Sequence, residues 1–88
     1  MPTIEKDQPY PKVDLYWHLV KQTLTRVFHE SSDPADVLRQ EIGKCLPEEQ
    51  LLFYHAEPLN VATDLAGQRP TDDQIREYRT LADQAGWK

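Results

Sequence analysis

The stretch KVDLYWHLVKQTLTRVFHE, residues 12–30, decides how the rest of this chain must fold. Val13, Trp17, Val20, Leu24 and Val27 recur at spacings of 4, 3, 4 and 3, and Tyr16 and Phe28 widen the same side. At about 100° per residue these seven positions fall within an arc of about 120°. Asp14, His18, Lys21, Gln22, Thr25, Arg26 and His29 take the opposite side. Leu15 and Leu19 form an i,i+4 pair off the main stripe, so the spacing predicts a helix over 12–30 that packs on more than one side. The stripe would also suit a homodimer seam, but it spans little more than two heptads and reads better as an intramolecular core helix. A monomer and a homodimer both fit it.

Working outward, residues 1–11 contain Pro2, Pro9 and Pro11. Proline fixes φ and biases its predecessor toward extended backbone, so this segment is expected to be an arm outside a single helical domain of residues 12–88. Downstream, proline and glycine punctuate a series of shorter helices. Asp33 and Pro34 suit a helix start, with Asp33 as cap, and predict a helix over 34–45 with Leu38, Ile42 and Cys45 or Leu46 as its buried side. Pro47, Glu48 and Glu49 open another over 47–56, with Leu51, Leu52 and Phe53 as core. Pro58 interrupts it and starts a third over 58–66, where Val61, Ala62 and Leu65 face inward and Gly67 supplies a left-handed stop.

Thr71 and Gln74 have capping-box spacing for the last helix, 71–85, whose apolar face is Ile75, Tyr78, Leu81, Ala82 and Ala85. Arg79 and Asp83 are placed as an outward i,i+4 pair, and Gly86 is placed to end the helix. No run alternates as a strand would. The expected fold class is all-α: a single small irregular bundle of four to five helices.

Charge narrows the function. The chain of 88 residues carries a net charge of −5. Residues 1–44 hold 6 basic and 7 acidic side chains, whereas residues 45–88 hold 4 basic and 8 acidic. An acidic half repels phosphate backbones and suits a basic protein surface instead. One cysteine, Cys45, allows no internal disulfide, and no apolar run reaches membrane-spanning length. The expected location is the cytoplasm, with no membrane association.

His55-Ala56-Glu57 resembles the H-x-E of the zinc-dependent nucleobase deaminases, in which the His binds zinc and the Glu moves protons. Those enzymes complete the site with a downstream P-C-x-x-C, and the only cysteine here lies upstream. The likeness stops at three residues. His18 and His29 are eleven residues apart, about 16 Å along a helix, which is too far to share one ion. Gly43, Gly67 and Gly86 are dispersed and make no phosphate loop, and Ser31 and Ser32 read as helix-junction residues. No metal, no cofactor and no catalytic activity are expected.

What remains is protein binding. Tyr10 in the arm, Tyr54 and His55 before the Pro58 break, and Trp87 beside the C-terminus are the candidate partner-binding residues, because exposed aromatics at element ends often anchor interfaces. The expected function is that of a small acidic accessory protein of the inhibitor, immunity or adaptor type. The alternative is a helix-turn-helix-like transcriptional regulator built on residues 34–56. Its would-be recognition helix, PEEQLLFYHAE, has three glutamates and no Lys or Arg, which disfavours nucleic acid.

Overall fold

Every helix start in this chain solves the same problem, four backbone N–H groups with no partner inside the helix, and the solutions set the element boundaries. In the computed structural model, which describes residues 13–87, the order is α1 (Val13–Gln22), a π-helical segment (Thr23–Val27) continuing α1, α2 (Asp33–Gly43), α3 (Pro47–Phe53), α4 (Pro58–Ala66) and α5 (Asp72–Ala85). The fold is all-α, with no strand among the described residues. None of these helices is long and apolar enough to cross a membrane. The Pro-rich arm and Tyr10 lie outside the described residues.

α1 and the π segment form the centre. Tyr16, Trp17, Leu19, Val20, Leu24, Val27 and Phe28 are all nearly inaccessible to solvent. Burial of each aliphatic side chain among them contributes about 1.5–3 kcal/mol. α4 and α5 pack against both α1 and the π segment, and α2 packs against α1, α3 and α4. Val61 and Ala62 from α4, and Tyr78, Leu81 and Ala82 from α5, complete the core, with Ala35 from α2.

The long helix is not uniform. Leu19 and Val20, Thr23 and Leu24, and Val27 and Phe28 are buried as pairs repeating every four residues. A period of four outruns the 3.6 residues of an α-turn, so the buried line would drift by about 40° at each repeat. Widening the turn keeps the line facing inward, and the Phe28 N–H accordingly donates to the Thr23 carbonyl at 3.1 Å, five residues back. The buried Thr23 hydroxyl donates to the Leu19 carbonyl at 2.7 Å, so its burial leaves no polar atom unmet. The helix expected to reach residue 30 therefore stops at Val27. His29, at φ 57°, turns the chain away in the left-handed region. Gln74 of α5 donates from Nε2 to the Val27 carbonyl at 3.3 Å, meeting one of the carbonyls freed at that end.

The other boundaries follow the expected chemistry with local corrections. Asp33 is not the cap of α2 but its first residue, and its own N–H donates to Ser31 Oγ at 3.1 Å. α2 ends at Gly43 rather than 45, with Leu38 and Ile42 half-buried and Leu46 exposed. α3 ends at Phe53 rather than 56, because Pro58 forces Glu57 into extended backbone (φ −66°, ψ 141°) and the chain must leave the helix before it. Leu51 and Leu52, expected in the core, are exposed. Thr71 and Gln74 form the reciprocal capping box: the Gln74 N–H donates to Thr71 Oγ1 at 3.2 Å and the Thr71 N–H to Gln74 Oε1 at 2.9 Å. Arg79 and Asp83 do not close into an ion pair; on α5 it is Arg76 that pairs, with Asp73 at 2.8 Å.

Gly67 ends α4 at φ 68° and Gly86 ends α5 at φ 82°, the conformation their positions predict. Gly67→Ala is expected to cost about 1–2 kcal/mol through backbone strain alone, since nothing lies within 4 Å of the added methyl. Gly43→Ala, at a helical position equally free of neighbours, should instead stabilise by about 0.5 kcal/mol. Thermal melts should separate the two, at about 4–8 °C per kcal/mol; equal shifts would contradict the backbone argument.

Candidate functional site

Trp17 lies in the deepest part of the core, and its indole N–H needs an acceptor there. Tyr54, 37 residues away in sequence, supplies it: Trp17 Nε1 donates to the Tyr54 hydroxyl at 2.8 Å. Phe53 stacks on the Trp17 ring at 5.7 Å with planes 15° apart. Tyr16 stands edge-on to Tyr54 at 5.0 Å and to Trp87 at 5.7 Å. Five aromatic side chains from α1, the end of α3 and the C-terminus thus form one cluster, and such pairs add about 0.5–1.5 kcal/mol each beyond area burial.

Glu57 borders this cluster at the α3–α4 junction. It stands at the cap position of α4, but its side chain makes no capping bond. Instead, the buried Tyr78 hydroxyl of α5 donates to Glu57 Oε1 at 2.7 Å. Burial, together with this bond and the Glu57 charge, pushes the Tyr78 phenol well above its ordinary value. Burial, with Tyr54 and Glu57 nearby, does the same to Tyr16. The Tyr16 hydroxyl is buried without a hydrogen-bond partner among the described residues. Between α4 and α5 the Tyr78–Glu57 bond borders a cleft of about 400 Å³. Leu59, Ile75, Ala82 and Trp87 give it apolar walls, and Asn60, Arg79 and Asp83 add polar groups.

A second feature lies on α2 and α3. The exposed large hydrophobic side chains of the described residues are Val37 (61%), Leu46 (62%), Leu51 (37%) and Leu52 (73%), all within this helix pair. The Lys44–Cys45–Leu46 connection is held by Gln50 Nε2 donating to the Cys45 carbonyl at 2.9 Å and by the Leu46 N–H donating to Glu49 Oε1 at 3.1 Å. α3 has no fully buried residue. It is anchored through Phe53 and the following Tyr54, which leaves its outer side free.

The candidate partner-binding residues fall in different places. Tyr54 is half-buried and committed to Trp17, so it is first a structural tie. Trp87 is half-buried: it packs on Tyr16, its backbone N–H donates to the Ala82 carbonyl at 2.9 Å, and it lines the α4–α5 cleft. His55 is exposed in the turn that follows α3. Val37, Leu46, Leu51 and Leu52 were missed as surface residues. A wheel would have flagged α3: Leu51, Leu52 and Phe53 are consecutive and span about 200°, so a short helix cannot turn all three inward. The Glu57–Tyr78 bond joins positions 21 apart and has no local signal. Among the described residues no group of three or more His, Cys, Asp or Glu side chains is placed to hold a metal ion.

Tyr54 and Tyr16 separate a phenol that meets a buried donor from one without a partner. Tyr54→Phe strands the Trp17 N–H and should cost about 1–3 kcal/mol. Tyr16→Phe removes an unpartnered buried hydroxyl and should be neutral or stabilising by up to about 1 kcal/mol. Urea unfolding of both variants tests the assignment, and a destabilised Tyr16→Phe would contradict it.

Stability should also fall at alkaline pH. Because folding raises the Tyr16 and Tyr78 pKa above the ordinary 10.0, the unfolded chain releases these protons first. The urea midpoint should hold below about pH 10 and drop above it, less steeply in Tyr78→Phe. Comparison with protein-family models, with curated proteins and with solved structures finds no match to this chain.

Proposed function

We propose that this is a small acidic cytoplasmic accessory protein that acts by binding another protein, as an inhibitor, immunity protein or adaptor does, without catalytic activity of its own. The observation that supports the reading is the exposure of Val37, Leu46, Leu51 and Leu52 on the α2–α3 pair. Large apolar side chains gathered on one part of a small domain cost solubility and are typical of surfaces that another protein covers. The half-buried thiol of Cys45, with no second cysteine to pair with, fits a reducing compartment.

A helix-turn-helix reading would have to lay α3 in a DNA groove. Residues 47–57 carry Glu48, Glu49 and Glu57 and no Lys or Arg, a charge pattern that repels phosphates. The protein-binding reading therefore has the better support.

Affinity capture with cross-linking should recover a protein partner on the wild-type chain. Leu51→Ser combined with Leu52→Ser should recover at least about tenfold less of it at a temperature where both chains are folded, since each leucine contributes on the order of 1 kcal/mol or more when covered. Undiminished capture by the double variant would remove α3 from the interface. A gel shift with mixed duplex DNA at low salt would favour the regulator reading instead.

A further inference from the structure

We propose that the element seated on the α2–α3 face is an amphipathic helix of another protein, with an apolar stripe bordered by Lys or Arg. The inference rests on the protein-binding reading above and names the chemistry of the partner. Residues 33–57 contain six acidic side chains (Asp33, Asp36, Glu41, Glu48, Glu49 and Glu57) and two basic ones, Arg39 and Lys44, a net of −4 against −5 for the whole chain. Arg39 is engaged with Asp14, Lys44 with Glu41 at 3.6 Å and Asp36 with Lys21 of α1 at 2.8 Å, which leaves Asp33, Glu48 and Glu49 without a cation among the described residues. The exposed leucines therefore sit on a net-negative surface, and cations at the edge of a partner's apolar stripe complement it.

The same charge discriminates among occupants. A second copy of this chain would bring two −4 segments together, which is unfavourable, and anionic lipid headgroups would be repelled. A peptide that adds as a β-strand would need a sheet edge to join, and the described residues contain no strand. α2 and α3 pack against each other across a three-residue turn, and a partner helix laid along the pair would present its i, i+3, i+4 and i+7 anchors to the exposed leucines. Leu52 near the end of α3 and His55 in the turn beyond it are both exposed, and Glu48 lies one turn before Leu52.

The test is amide chemical-shift mapping on the full chain, titrated with a synthetic Leu/Lys peptide of about 18 residues patterned for an amphipathic helix. Controls are its scrambled isomer, a Leu/Glu peptide of the same pattern, and vesicles of zwitterionic or anionic lipid. The proposal expects shifts concentrated in residues 35–57. It also expects affinity to fall at least about tenfold both in Leu51→Ser/Leu52→Ser and on raising salt from about 50 to about 500 mM.

Equal binding of the scrambled or the Leu/Glu peptide, shifts centred elsewhere, or an unaffected double variant would overturn it. Vesicle binding, or a native mass that doubles with concentration in the wild type and not in the variant, would assign the face to lipid or to a second copy. Failure of this proposal alone is recognisable: a natural partner captured through Leu51 and Leu52 would lack a cationic helix at the contact. If the wild type captures no protein at all, the underlying reading fails instead.

Discussion

The indole of Trp17 sets the terms for the rest of the molecule. It is fully buried in α1, and a buried N–H without an acceptor costs about 1–3 kcal/mol. The acceptor is the Tyr54 hydroxyl, and the neighbouring Phe53 stacks on the same ring, so one side chain fixes both the end of α3 and the approach to Pro58. Phe53 faces inward, so Leu52, one residue earlier, is rotated by about 100° and Leu51 by about 200°. Their exposure is a consequence of satisfying Trp17. The junction that follows carries Glu57 to the Tyr78 hydroxyl, which ties α5 to the same cluster and shapes the cleft beside it.

The central helix shows a second constraint, between periodicity and geometry. Pairs of buried residues every four positions, from Leu19–Val20 to Val27–Phe28, do not fit a 3.6-residue turn. The backbone resolves the mismatch with the π segment at Thr23–Val27. Contacts from outside secure its end: Gln74 at the Val27 carbonyl, and Gln68 donating to Glu30 at 3.0 Å just beyond. The cap of α5 therefore has two roles. The Gln74 carbonyl oxygen completes the box with Thr71, and its amide nitrogen holds the end of the first helix.

These constraints distribute surface character unevenly. α1, α4 and α5 share the core, while α3 is held mainly at its C-terminal end and presents leucines to solvent within the most acidic part of the chain. A short helix anchored at one end contributes little to the core, so its outer face can carry side chains chosen for another purpose. The α4–α5 cleft differs in kind: it mixes an aromatic wall with charges of both signs and has a buried phenol committed to Glu57 at its edge.

The sequence by itself determined the elements. Proline, glycine, Thr71 and Gln74 act within one or two helical turns, so the starts of α3, α4 and α5 and the stops at Gly67 and Gly86 were legible residue by residue. The all-α class and the burial of Trp17, Val20, Leu24 and Val27 followed from spacing. The four-residue ladder was also in the text, but the 4-3-4-3 stripe overlaps it, and only packing against α4 and α5 selects the wider turn. Tertiary structure alone decided which apolar residues found partners. Leu51, Leu52 and Phe53 are adjacent large apolar residues, and the difference between core and surface came from a tryptophan 36 residues before Phe53, on which only the phenylalanine ring can stack. Long-range hydrogen bonds such as Trp17–Tyr54 and Tyr78–Glu57 leave no local trace, because nothing in the neighbouring sequence of either partner names the other until the fold brings them within 3 Å.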